Sequence, residues 1–198
     1  MSPFRSRSIL RPTLGRLVLV LVLLGLAWGW NQWRHLRPRS GTAFDAPVQG
    51  TLAGRTHVAD GDSLAIDGAR IRLLGIDAPE RVQSCSLEGM RHPCGAEARE
   101  HLAALVAGRP VVCDWTRLDK YGRRLARCRA GDVDLNARMV RDGWAVSYGA
   151  YEREEADARA HGRGLWSGDF VWPEDFRRDR RASGAAHFLG EAPDGEGD

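Results

Sequence analysis

Lysine is nearly absent from this chain. Lys120 is the single one among 198 residues, so the basic side of the charge balance rests on arginine. A formal net charge of +3 is mild, and by charge alone a polyanionic partner is permitted but not indicated. No internal repeat is visible, which sets solenoids and repeat arrays aside. His57, His92, His101, His161 and His187 show no ligand spacing, and the four cysteines contain no C-x2-C pair, so a zinc centre finds no support. Apolar runs are short as well: Leu17 to Trp30, interrupted only by glycines, falls below the ~20 residues that a full membrane span usually needs.

That run nevertheless has the company of an export signal. Arg5, Arg7, Arg11 and Arg16 precede it, Trp28, Trp30 and Trp33 suit an interfacial aromatic belt, and no small-x-small cleavage site follows. Residues 1–33 therefore read as a cytoplasmic stub and an uncleaved membrane signal-anchor, with a cleaved signal peptide as the alternative. Arg34, Arg37 and Arg39 follow closely, so the positive-inside rule favours an inward amino terminus only slightly. Residues 34–49, polar and carrying Pro38, Gly41 and Pro47, read as a linker.

The cysteines support export independently. Cys85, Cys94, Cys113 and Cys128 allow three pairings. Cys113 and Cys128 stand at equal distances from the Lys120-Tyr121 midpoint, so a hairpin turning there would set them opposite each other, which leaves Cys85 with Cys94. Disulfides behind an export-type amino terminus point to an extracytoplasmic domain.

With 43% hydrophobic residues, the remainder can build one ordinary core. Thr51 to Val58 is a candidate strand. Ser63 to Ile66, Asp67-Gly68 and Ala69 to Ile76 read as a hairpin, because Asp-Gly suits a type I′ turn. Alternation sets Ile71 and Leu73 on one face and Arg72 on the other. Gly95 to Val106 has helical spacing and Gly108 to end it. Pro110 to Trp115 and Arg124 to Ala130 form a second hairpin. Asp134 can cap a short helix closed by Gly143, and a last helix spans Glu152 to Arg163. Five strands with about three helices predict an α+β fold, a five-stranded OB-type Greek-key barrel, over residues 50–172. Residues 173–198 read as a tail without order of its own: first basic, with Arg177, Arg178, Arg180 and Arg181, then acidic among Gly, Ala and Pro over 182–198.

Three segments carry chemistry: Asp60-Gly61-Asp62-Ser63, Ile71-Arg72-Leu73-Leu74-Gly75-Ile76-Asp77-Ala78-Pro79-Glu80, and Asp119-Lys120-Tyr121-Gly122-Arg123. They place carboxylates and arginines at strand ends, the side chains that phosphodiester cleavage with one bound cation requires. In order, spacing and residue type the segments resemble the staphylococcal-nuclease-like (thermonuclease) family, with Leu135-Asn136, Gly143 and Gly164-Leu165-Trp166 as further landmarks. The similarity runs from about Gly50 to Trp166.

The resemblance implies an OB-type barrel and a Ca2+-dependent nuclease. Asp62, Asp77 and the main-chain carbonyl of Ala78, where the family usually has Thr, would hold the ion. Glu80 would be the general base, and Arg72 and Arg123 would grip the phosphate in its transition state. Lys120, Tyr121, Tyr148 and Tyr151 would contact substrate, the tyrosines by touching the terminal phosphate and stacking on a base of a single strand. It further implies a monomer that cleaves DNA and RNA with little sequence preference and leaves 3′-phosphate ends. The export signals would set such a domain in the periplasm, tethered to a bacterial inner membrane, or outside the cell if the signal is cleaved. The competing reading is a catalytically inactive nucleic-acid-binding module or envelope scaffold of the same fold.

Overall fold

The structure, a computed structural model, describes residues 46–190. The expected anchor at 1–33, most of the 34–49 linker and the last eight residues lie outside them. Among the described residues no helix is long and apolar enough to cross a membrane.

The first strand is broken where one run was expected. β1 (Gly50–Gly54) and β2 (Thr56–Asp60) are separated only by Arg55, and each pairs with a different neighbour. β2 continues through the Asp-Gly-Asp turn into β3 (Ser63–Ile66), which turns back as β4 (Ala69–Leu73). That second turn carries positive φ at both Asp67 (47°) and Gly68 (83°), the requirement of a type I′ hairpin. β8 (Val111–Leu118) pairs with β9 (Arg124–Ala130), which also runs parallel to β4 and takes the short β10 (Val133–Asp134) on its side. The sheet order β1-β8-β9-β4-β3-β2 begins and ends on the two halves of one bent strand, so the mixed sheet curls back on itself. Its interior is the core, with Ile71, Leu73, Cys113 and Ala126 all buried.

Helices close this curled sheet. α1 (Cys94–Val106) packs against β2, with Ala98 and Leu102 fully buried. α2 (Leu135–Arg141) starts at Asp134, whose carboxylate accepts from the Ala137 amide at 2.9 Å. Asn136, fully buried on α2, accepts from the Cys128 amide and donates to the Leu74 and Ala126 carbonyls, which ties the end of β4 to β9. α3 (Glu152–Ala160) stops short of the expected Arg163, as Gly162 takes a φ of 58°.

Both expected disulfides are present. Cys113 and Cys128 face each other directly across β8 and β9, with a Cα separation of 4.1 Å. Cys85–Cys94 spans 5.6 Å and brackets a small hairpin, β6 (Cys85–Leu87) with β7 (Met90–His92), where the sequence suggested only a loop. Its turn places Glu88 at φ 51° and Gly89 at φ 79°, the same two-residue geometry as Asp67-Gly68.

The expected tail is corrected in part: Pro173–Gly190 is a helix, α4, the fourth among the described residues. Apolar content alone failed to foresee it because its order has other sources. Pro173 starts it and Glu174 and Asp175 sit in its first turn, where a proline and acids are favoured. The segment leading into it is fastened by an aromatic cluster in which Trp166 and Phe170 lie 4.9 Å apart and Phe170 and Trp172 5.8 Å. That cluster packs on Leu165 and the Cys85–Cys94 bridge.

Candidate active site

The site forms where the ends of β2, β4 and β5 (Ile76–Asp77) converge. A register shift between Val58 and Asp60 kinks β2 just ahead of the Asp-Gly-Asp turn and re-aims the aspartates that follow. Gly61 lies so close to α1 that an added Cβ would stand 2.8 Å from that of Ala78 and 2.9 Å from that of Ala98. Asp77 is held by a strand pair made across the chain, opposite Val146 of β11 (Val146–Ser147).

Asp62 and Asp77 are both buried, at 4% and 2% exposure, yet neither is unpaired. Arg72 joins them: its Nη1 lies 2.8 Å from Asp62 Oδ2 and its Nη2 2.6 Å from Asp77 Oδ1. Asp62 also accepts from the Ser63 hydroxyl at 2.8 Å and the Ala78 amide at 3.2 Å. Burial and the Asp62 charge push the Asp77 carboxyl upward, opposed by Arg177 and Arg72. Asp60, beside them, is pushed up to about 6, chiefly by burial, with the charges of Asp62 and Glu80 adding to it and the Gly61 and Arg81 amides opposing.

Glu80 borders the same groove with its side chain 31% exposed. Its loop is set by two neighbours. Gly95 at the start of α1 abuts the Glu80 carbonyl, leaving no room for a Cβ. Gln83, almost fully buried, accepts from the Glu80 amide at 3.3 Å and donates to the Val171 carbonyl at 2.6 Å.

A further part of the lining comes from the β8–β9 turn. Asp119 accepts from the amides of Tyr121 and Arg123 and from Arg123 Nε at 2.7 Å, which fixes the Arg123 side chain in the groove that Arg72 also lines, just ahead of β9, the strand that runs beside β4. Tyr121 is half exposed, with Lys120 Nζ 5.1 Å and the Arg123 guanidinium 5.5 Å from its ring centroid. Lys120, Tyr121 and Tyr148 line the groove, a cavity of about 860 Å³, with Arg72, Glu80 and Arg123. Tyr151 is the exception. It precedes α3 with φ 69°, packs against the main core and is absent from the groove lining, so the structure does not bring it to the site. Burial raises its phenol well above the ordinary value.

Sequence reasoning missed two residues here. Gln83 gave no signal, because a lone glutamine in a loop matches no pattern. Arg177 was visible only as part of a basic run. On α4, it donates from Nη1 to Asp77 Oδ1 at 2.9 Å and Glu80 Oε1 at 3.1 Å, and from Nη2 to Asp77 Oδ2 at 2.8 Å. Desolvation works against its charge, but the bonds to Asp77 and Glu80 outweigh that and hold it above the ordinary arginine range.

Among the described residues no group of three or more His, Cys, Asp and Glu forms a metal cluster. The nearest donor set is all oxygen, Asp62 and Asp77 bound to one guanidinium with the main chain of Ala78 beside them. That chemistry fits a hard cation completed by water rather than zinc or copper.

The curled mixed sheet thus sets Arg72, Glu80 and Arg123 along one groove, with Arg72 tied to the buried Asp62 and Asp77. A family model described as Staphylococcal nuclease homologue matches residues 70–168, and the chain belongs to that family. It is 36% identical over 130 residues to the succinoglycan biosynthesis protein ExoI of Rhizobium meliloti, covering 62% of this chain and 68% of that protein. It is 35% identical over 121 residues to an uncharacterized endonuclease of Escherichia coli, covering 56% and 73%. A probable staphylococcal-like nuclease, CAN2, of Oryza sativa subsp. japonica is 34% identical over 119 residues, which are 57% of this chain and 30% of that protein.

Proposed function

We propose that this chain is a Ca2+-dependent nuclease that hydrolyses phosphodiester bonds of DNA and RNA with little sequence preference and leaves 3′-phosphate ends. One observation carries the reading: Arg72, Glu80 and Arg123 share one groove above the buried Asp62 and Asp77 pair, in a chain of this family. A phosphodiester resists water because the attacking oxygen meets a charged group, so that charge must be offset while the water loses a proton. Arg72 on β4 and Arg123 just ahead of the neighbouring β9 offset it with guanidinium groups that bond to phosphate oxygens. Glu80, at the groove edge, takes the proton from the attacking water. Asp62, Asp77 and the Ala78 carbonyl would hold the ion, which would supply further neutralisation when bound. Exposed Tyr121 and Tyr148 give bases of a single strand a stacking surface, which accounts for tolerance of sequence.

In this reading the curled sheet is the OB-type barrel, the molecule acts as a monomer, and the apolar run at 17–30 anchors it in a bacterial inner membrane with the domain in the periplasm. The test is hydrolysis of single-stranded DNA by the full chain, with calcium and with a chelator. Cleavage with calcium, lost on chelation and restored better by calcium than by magnesium, supports the reading. Full activity in chelator overturns the metal assignment, and no cleavage in either condition overturns the nuclease. The second reading, a non-catalytic domain of the same fold, is favoured by one finding, the similarity to a protein named for polysaccharide biosynthesis. It requires that Glu80→Gln change nothing measurable.

A further inference from the structure

Arg177 stands outside the part of the chain that the family model matches, which ends at residue 168, yet it reaches the centre of the site. Its guanidinium takes both oxygens of Asp77 and one of Glu80. Arg72 takes Asp77 Oδ1 as well, so both oxygens of this buried carboxylate face arginine nitrogens. These are the oxygens that a cation would use, and the Glu80 carboxylate is the group that would take a proton. A two-point arginine–carboxylate bond of this kind is among the stronger polar contacts in proteins.

The electrostatics explain why an arginine settles there. Asp60, Asp62, Asp77 and Glu80 crowd one site, and of the two family arginines Arg72 pairs with Asp62 and Asp77 while Arg123 pairs with Asp119 instead. A second positive group is needed to offset the remaining acids, and either a guanidinium or a divalent cation can provide it. The two compete for the same atoms of Asp77 and differ in charge and in tether. The Arg177 side chain, 26% exposed, borders the open groove, so it can leave Asp77 without α4 unfolding.

We propose that Arg177 is a built-in competitor for the divalent cation: its guanidinium holds Asp77 and Glu80 in the cation-free protein, and cation binding displaces it. Arg177 thereby sets the cation concentration at which the site opens. This rests on the cation assignment made under Proposed function. A site held closed nine-tenths of the time lowers apparent affinity about tenfold, so the effect is measurable.

The experiment is calorimetric titration of the full chain with calcium, without nucleic acid, for the unsubstituted protein, Arg177→Gln and Arg178→Gln. Arg178 is adjacent on the helix, carries the same charge and has a side chain 69% exposed, so it controls for general electrostatics. Arg177→Gln should bind calcium about tenfold more tightly, and Arg178→Gln should stay within about twofold of the unsubstituted protein. Equal or weaker binding by Arg177→Gln, or an equal gain in both variants, overturns the competitor and leaves the nuclease intact. No calcium binding by any of the three proteins overturns the cation assignment together with this inference. Should Arg177→Gln fold poorly, the side-chain nitrogen signal of Arg177 in the unsubstituted protein decides the question. It should move toward that of free arginine as calcium is added, and an unchanged signal at calcium saturation refutes the displacement.

Discussion

Arg72 and Arg177 meet the same buried carboxylate, Asp77, from opposite kinds of structure. Arg72 sits on β4 inside the curled sheet, with Ile71 and Leu73 on either side fully buried, and its guanidinium ties Asp77 to Asp62. Arg177 reaches in from α4, which rises from the aromatic cluster at Trp166, Phe170 and Trp172 and presents Arg178 and Arg180 to solvent. The first arginine bridges two buried aspartates. The second joins one of them to the partly exposed Glu80. Identical chemistry therefore serves construction in one case and occupancy in the other, and what separates them is the element that carries each.

Removing each arginine is the strongest way to break this comparison. Arg72→Ala strands two adjacent buried aspartates, and deleting one partner of a buried ion pair typically costs about 3–5 kcal/mol. It should lower the melting temperature by many degrees and abolish cleavage. Arg177→Ala should lower the melting point far less, because Arg72 still pairs with Asp77. Equal losses in thermal unfolding would erase the distinction.

Next in size are the groups assigned to chemistry rather than to the fold. Glu80→Gln and Arg123→Ala should each lower kcat by about 10²-fold or more, roughly 3 kcal/mol, with melting temperatures nearly unchanged. Asp132→Asn, in the exposed turn after β9, should do neither. Near-normal turnover in Glu80→Gln would refute the mechanism.

The β8–β9 wall can be loosened separately. Breaking Cys113–Cys128, whose closure spans 15 residues, should cost roughly 3 kcal/mol in the chain-entropy model. Both thiols should resist alkylation in the oxidised protein and react after reduction. Ready labelling without reductant would contradict the pairing.

The smallest expected effect is a pH dependence at Asp60. Its carboxyl is pushed up to about 6 in the folded chain, against roughly 3.9 when unfolded. Between those values the folded state keeps a proton that the unfolded state has lost. Asp60 therefore contributes stability at low pH that disappears as pH rises through about 6. In chelator, Asp60→Asn should melt above the unsubstituted chain near neutral pH, and the gap should close as pH falls toward about 4. A gap that does not vary with pH would show that Asp60 is ionised throughout.

Local signals carried much of this architecture. Asp67-Gly68 announced its turn, Asp134 its helix cap, and the symmetric spacing of Cys113 and Cys128 its cross-strand bridge, each because the information lies within a few residues. The broken first strand was hidden, since a bend at Arg55 serves a sheet that curls and no local pattern encodes curling. The β6–β7 hairpin was hidden too, its arms being only three residues each.

For the site, the residue types and spacings of Asp62, Arg72, Asp77, Glu80 and Arg123 were set by the sequence alone, because family motifs keep their order whatever surrounds them. Which side chains touch was decided by tertiary structure. Tyr151 shares its residue type with Tyr148 but packs against the core, from a turn before α3 whose backbone is left-handed. Arg177 belongs to a run of similar arginines, and only the placement of α4 selects it for Asp77 and Glu80. Charge along a sequence fixes how many partners are available. Proximity in the folded chain, which brings Arg177 within 2.8 Å of Asp77 across a sequence separation of 100 residues, fixes which partner is met.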